Sequence, residues 1–248
     1  MSTTESDATS DAAFIARALA LDCAALSDAL DRCAIPGQCY QIAPCDRKFR
    51  MAGHAYTVLY RPAAFDETGF VGDYIDDVPA GSVIVIDNRG RTDVTTWGNI
   101  LTEMAHQRQL AGTVIDGINR DVALCSELNY PIYSRGAWMR TGKGRIQLAG
   151  LQVPVLVGGV TVHPGDLLRG DADGVVVIPR SMQAAVLGHA EEITGHENAV
   201  RAHIRSGMRM DEARRAHRYH ELQSPAYGAA DASSGAESAS ASKNPKPV

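Results

Sequence analysis

An arginine and an aspartate stand side by side at positions 120 and 121, in the stretch AGTVIDGINRDVALCSEL (111–128). The apolar, β-branched run before them reads as a strand ending at Ile115, and Asp116-Gly117 reads as the turn that follows it. A helix then begins near Asp121. The pair therefore falls at the C-terminal edge of a strand, where the ligands of α/β sheets bind. The two side chains offer complementary chemistry. A carboxylate holds a hard divalent cation directly or through its waters, and a guanidinium grips a carboxylate or a developing enolate oxygen. From spacing alone the pair reads first as an N-cap aspartate and a surface arginine. A second junction, TTWGNILTEMA (95–105), sets Gly98 and Asn99 ahead of a helical pattern. The amides of Asn99, Ile100 and Leu101 should then be free at a helix N-terminus, which suits a carboxylate, although every helix has such an end.

Four ordered segments carry a more specific signal. GTVIDGINRD (112–121) resembles the G-x-x-x-D-G-x-x-R-D signature of the RraA-like family, which includes class II 4-hydroxy-4-methyl-2-oxoglutarate / 4-carboxy-4-hydroxy-2-oxoadipate aldolases and the ribonuclease E inhibitor RraA. VPAGSVIVID is similar to that family's PGD–strand–D segment, with Ala80-Gly81-Ser82 in place of PGD. WGNILTEMAHQRQLAG resembles the helix ahead of the signature, and GGVTVHPGDLLRGDADGVVVIP resembles its V-x-PGD-x-x-x-x-D-x-x-GV-x-x-IP segment. The similarity spans about residues 25–206.

The resemblance implies a swivelling β/β/α-type single α/β domain, assembled as trimers or hexamers with sites between subunits. It implies a metal-dependent lyase of small 2-oxo acids that yields pyruvate by retro-aldol cleavage or oxaloacetate decarboxylation. Asp121 would anchor Mg²⁺ or Mn²⁺, and Arg120 would contact the 2-oxo oxygen. The Gly98-Asn99 turn and the amides of Ile100 and Leu101 would bind the pyruvyl carboxylate. Glu197 is the match for a glutamate that a neighbouring subunit brings to the metal, with Glu191 and Glu192 as rivals on the same helix. Asn99 departs from the acid that family aldolases often carry there. Because the family also includes regulators, the alternative is a non-catalytic protein that binds an RNA-degrading enzyme.

These residues need a scaffold of alternating strands and helices. Strand patterns fall at 54–60, 82–87, 113–116, 153–159, 160–162 and 174–179, punctuated by Gly, Pro or Asp-Gly. The run SVIVID is apolar throughout, as in a strand buried on both faces. Helical spacing covers 12–33, 99–109 (with Ile100, Leu101, Met104 and Ala105 on one face), 121–129 and 181–206. Such alternation predicts a mixed α/β domain over 12–206. Residues 1–11 read as a flexible tail, 207–222 as a charged helical extension, and the Ala/Ser/Gly/Pro-rich 223–248 as a disordered tail.

Composition excludes other classes. Of 248 residues, 45% are hydrophobic and 21% charged, and the formal charge of −5 comes without a basic stripe, so no nucleic-acid partner is expected. There is no signal-peptide pattern and no apolar run long enough for a membrane, which points to a cytoplasmic protein without a membrane partner. The five cysteines form no C-x-x-C pair. No P-loop, G-x-G-x-x-G or G-x-S-x-G occurs. The acidic loop DETGFVGDYIDD (66–77) reads first as solvated, the alternative being that Asp73, Asp76 and Asp77 line the pocket, and His189, His196, His203, His217 and His220 read as surface histidines.

Overall fold

A computed structural model describes residues 3–64, 72–217 and 219. Helices α1 (Thr3–Ala20) and α2 (Cys23–Arg32) lead into a short strand β1 (Ala43–Pro44) and the long strand β2 (Met51–Pro62). The units β3 (Val83–Thr95), α3 (Asn99–Gln107), β4 (Gly112–Ile118), α4 (Val122–Glu127) and β5 (Ile132–Ser134) follow. After them come β6 (Ile146–Leu151), the hairpin of β7 (Val155–Val157) and β8 (Val160–Val162), the pair β9 (Leu167–Asp171) and β10 (Gly174–Ile178), and the helices α5 (Gln183–Arg205) and α6 (Met210–Ala216).

Eight of these strands form one mixed sheet in the order β1-β5-β4-β3-β2-β9-β10, with β6 also on β2. Strand β2 is the junction. Its first residues pair antiparallel with β9, its middle parallel with β3, and its end antiparallel with β6. Strands β3, β4 and β5 run parallel, which forces α3 and α4 to act as crossovers. Both crossovers therefore start at the same sheet edge, and this brings the two chemical junctions together. Val83 to Ile86 are all fully buried, as a strand covered on both faces requires. A second apolar cluster joins α1, α2 and α5 to the face of β9 and β10 through Ala18, Leu26, Leu30, Val176, Leu187 and Ile193. Among the described residues no helix is long and apolar enough to cross a membrane.

Several expectations need correction. The helix read over 12–33 is two helices, because Asp22 caps the second one by accepting from the Ala25 amide at 2.7 Å. Composition predicts a loose tail over 1–11, yet α1 begins at Thr3, and Asp11 accepts two 2.9 Å bonds from Arg180. Asp116-Gly117 does not turn the chain: both residues lie inside β4, and the Asp116 carboxylate is matched by Arg135 and by the Gly158 amide at 3.2 Å. On α3 the core face is Thr102 and Ala105 with Leu101 and Met104 beside it, whereas Ile100 is 80% exposed. Strands β1, β5, β6 and β9 carry no alternation clear enough to announce them. The extension read over 207–222 contributes α6, and residues 223–248 lie outside the described part, as do 65–71.

Buried aspartates replace turns as the fasteners of this fold. Asp87 accepts from the amides of Arg89 (2.7 Å) and Leu156 (3.0 Å). Asp166 takes those of His163 (2.8 Å) and Arg180 (3.0 Å). Asp171 takes those of Cys23 (2.8 Å) and Asp173 (3.0 Å), which ties the start of α2 to the β9–β10 turn. Burial alone would raise the Asp171 carboxyl, but these amides and Arg169 hold it below its ordinary value of 3.8. A depressed folded-state value means stability that is present above 3.8 and lost as pH falls through the lower value. Asp171→Asn should cost about 1–3 kcal/mol in denaturant unfolding at pH 7. The gap from the parent should narrow on acidification below 3.8; an unchanged gap would contradict the role assigned to this carboxylate.

Candidate active site

The edge shared by β3 and β4 opens into a cavity of about 650 Å³. Its wall includes Gly98, Asn99, Ile100 and Leu101 from the start of α3, and Arg120 from the end of β4. The wall also includes Asp73 and Asp76 of a 3-10 turn (Asp73–Asp77) and the 141–144 segment carrying Lys143. Asp73 and Asp76 are exposed, as a solvated acidic turn would have them, and also border this cavity, while Asp77 does not.

Asp121 sits immediately behind Gly98. Its backbone adopts φ 59°, ψ 40°, in the left-handed region that few side chains enter and that aspartate tolerates better than most. It occupies the N-cap position of α4 but makes no capping bond there. Instead its Oδ2 accepts from the Asn99 amide at 2.9 Å and lies 3.4 Å from Arg120 Nε. Asp121 therefore caps α3, the helix of the other junction. Gly98 makes room for this: a Cβ there would stand 2.8 Å from Asp121 Oδ2 and 3.1 Å from Arg120 Nε. Its backbone is extended, so the need is for space and not for an unusual φ.

The helix end is less open than the spacing implied. Asp121 takes the Asn99 amide, and Asn99 folds its own Oδ1 onto the Ile100 amide at 2.9 Å. Among the described residues the Leu101 amide is left without a partner. Two groups escaped the sequence reading. Thr96 is fully buried, its hydroxyl has no partner among the described residues, and it lines the cavity. No spacing marked it. Lys143 sits between Gly142 and Gly144, and that flanking could have flagged a ligand-facing loop.

Glu197 is not at this cavity. It lies on α5, where Oε2 accepts from Arg201 at 2.6 Å. Its rivals are also engaged, Glu191 with Arg17 and Glu192 with Arg32, each at 2.7 Å. The nearby thiol of Cys125 is pushed up by burial, so it stays protonated and is a poor nucleophile.

The donor chemistry fits a hard cation in part. Asp121 offers a carboxylate whose Oδ1 has no protein partner among the described residues. No set of three or more His, Cys, Asp or Glu side chains converges among them. Mg²⁺ typically keeps several waters and takes one or two carboxylates plus substrate oxygens, so a single anchoring carboxylate is compatible with it.

Residues 23–177 match the RraA-like family, described as Aldolase/RraA, and the chain belongs to that family. Protein DlpA of Legionella pneumophila is 39% identical over 200 residues, which are 80% of this chain; the chain spans about a third (32%) of that relative. A protein of Halalkalibacterium halodurans, provisionally named a 4-hydroxy-4-methyl-2-oxoglutarate aldolase, is 33% identical over 75% of this chain and 86% of its own. Among solved structures, an uncharacterized protein of Pseudomonas syringae pv. tomato aligns with TM-score 0.76 and 40% identity over 82% of this chain and 96% of its own. Streptomyces coelicolor RraAS2, described as an unusual member of the RNase ES inhibitor RraA family, aligns with TM-score 0.73 and 25% identity over 77% and 98%.

The crowding at Gly98 makes a direct test. Gly98→Ala should push the Asp121 carboxylate off the Asn99 amide while the fold persists, at a cost of about 1 kcal/mol. Amide exchange at Asn99 should quicken and its NMR resonance should move; an unperturbed Asn99 amide would show that the close approach is not needed.

Proposed function

We propose that this chain is a divalent-metal-dependent lyase that cleaves a C–C bond of a small 2-oxo acid to give pyruvate, by retro-aldol cleavage of a 4-hydroxy-2-oxo acid, by decarboxylation of oxaloacetate, or by both. The observation that carries this reading is the Arg120–Asp121 pair held against the start of α3 at the cavity. The provisional aldolase name of the Halalkalibacterium relative points the same way.

Asp121 would hold Mg²⁺ or Mn²⁺, whose chemistry is to polarise the 2-oxo group and stabilise the enolate that C–C cleavage leaves. Arg120 faces the cavity and would donate to the same oxygen, with most effect as negative charge grows there. The Leu101 amide would donate to one substrate carboxylate oxygen, and the Ile100 amide to a second once Asn99 releases it. Thr96 would donate its hydroxyl to a substrate oxygen, since a buried hydroxyl without a partner is costly. Glu197 would act from a neighbouring copy in a trimer or hexamer. Exposed Ile100, Trp138 and Met139 lie on or next to the chain segments that form the cavity rim and give such a copy an apolar surface to cover.

The alternative is a regulator that binds an RNA-degrading enzyme, and the inhibitor family of the Streptomyces relative favours it. Purified protein should release pyruvate from oxaloacetate or a 4-hydroxy-2-oxo acid when Mg²⁺ is added, and chelation should stop it. Asp121→Ala should abolish the release, and Arg120→Ala should lower kcat by about 10²–10³-fold. Metal-independent silence toward every such acid, together with capture of a ribonuclease, would replace the lyase with the regulator.

A further inference from the structure

Helix α6 is only seven residues long and has no side-chain N-cap. Helices this short are marginal on their own. It rests on α5 and fully buries a single residue, Ala213. Beyond Ala213, a pair of imidazoles joins it to α5. His203 lies on the last turns of α5, and His217 is the C-cap of α6. His217 Nε2 stands 3.1 Å from His203 Nδ1, with ring centroids 5.0 Å apart and planes tilted by 31°. Both residues are half-buried.

We propose that His203 and His217 form a two-imidazole site for a divalent transition-metal ion of the Zn²⁺ type, separate from Asp121, and that the ion clasps α6 onto α5. Imidazole nitrogens bound at about 2.0–2.1 Å to a tetrahedral ion stand about 3.4 Å from each other. The observed pair needs to open by only about 0.3 Å to admit one. In the hydrogen-bonded pair one ring nitrogen holds a proton between the two rings. On metal binding that proton moves to the other nitrogen of the same ring, so both rings ligate as neutral imidazoles and no net proton is released. Neutral imidazole suits Zn²⁺, Ni²⁺ and Cu²⁺ and is a poor match for Mg²⁺, so this site and the carboxylate at Asp121 select different ions.

His196 meets His217 in a T-shaped contact with ring centroids 6.3 Å apart, one more imidazole on the same side of α5. No three-residue set converges among the described residues, so water fills the remaining positions and the site is open rather than a closed structural tetrahedron. The ion would bridge two helices that otherwise meet through little apolar surface. It would hold fast the turn of α5 just beyond Glu197.

The test uses the full-length chain without an affinity tag, stripped of metal, titrated with ZnCl₂ by calorimetry and with CuCl₂ by EPR. The Asp121→Ala protein should keep one Zn²⁺ site per chain and a Cu²⁺ signal split by imidazole nitrogen. His203→Ala and His217→Ala should each lose both. Zn²⁺ should also slow hydrogen exchange of the 210–216 amides in the parent and in Asp121→Ala, and leave it unchanged in either histidine variant. Circular dichroism would confirm that these variants remain folded. Equal Zn²⁺ binding by the parent and the histidine variants, or no binding by the parent, would overturn the proposal whatever the lyase assay shows.

Discussion

One hydrogen bond organises the candidate site: the Asn99 amide donates to a carboxylate twenty-two residues further along the chain. A helix N-terminus leaves amides that need acceptors, and the residue nearest in sequence usually supplies one. Here Gly98 has no side chain to give, and Asp121 reaches across from the next crossover. The parallel arrangement of β3 and β4 makes that reach possible, since it puts both strand ends at one edge. The left-handed backbone at Asp121 turns its carboxylate away from its own helix and toward the other. Strain of this kind costs of order 1–3 kcal/mol and persists where the surroundings fix it. In this chain it holds a carboxylate and a guanidinium beside each other with both partly open to solvent.

The same device recurs through the fold with a different result. Asp87, Asp116, Asp166 and Asp171 are each almost wholly buried, and each accepts backbone amides from a distant segment or a tight turn. A buried carboxylate without such donors would be expensive. With them it becomes a directional fastener. The sheet curves through three different pairings on β2, and apolar packing alone would define that register poorly. Asp121 differs from these four in having one oxygen without a protein partner among the described residues, and that separates a residue that holds the frame from one open to a ligand.

Much of this was legible in the residues. The β-branched runs of β3 and β4 and the helical spacing of α3 and α5 mark elements whose burial is nearly complete or clearly one-sided. Local pattern marked the two strand-to-helix junctions separately, and only the family resemblance put Arg120, Gly98 and Asn99 in one site; the parallel pairing that aligns them is seen in the structure. What failed, failed for physical reasons. Asp116-Gly117 has the composition of a turn, and only the distant Gly158 amide and Arg135 make a buried aspartate tolerable within a strand. Strand β9 contains Arg169 and Asp171, polar residues that belong in a core only because carbonyls of Ala18 and Leu21 and the Cys23 amide meet them. Both cases depend on partners nineteen or more residues away, beyond the reach of local pattern. Thr96 was invisible for the opposite reason: its significance lies in having no partner among the described residues.

Asn99 is where the chain departs from the acid that the family resemblance leads one to expect. Its amide nitrogen already sits 2.9 Å from the Asp121 carboxylate. An acid at this position would place a second negative charge beside Asp121, and like charges so close raise each other's proton affinity unless a cation intervenes. Asparagine removes that repulsion. Its neutral side chain can turn inward and satisfy the Ile100 amide, so the helix end is complete without any ligand. On the proposed reading ligand binding would then have a competitor: a substrate carboxylate would have to displace Asn99 Oδ1 before gaining the Ile100 amide. The exchange trades one hydrogen bond for a stronger, charge-assisted one and adds the Leu101 amide. On the proposed reading the net gain would favour fully ionised carboxylates over neutral oxygens, so asparagine in place of an acid would sharpen selection for the acid group of the substrate.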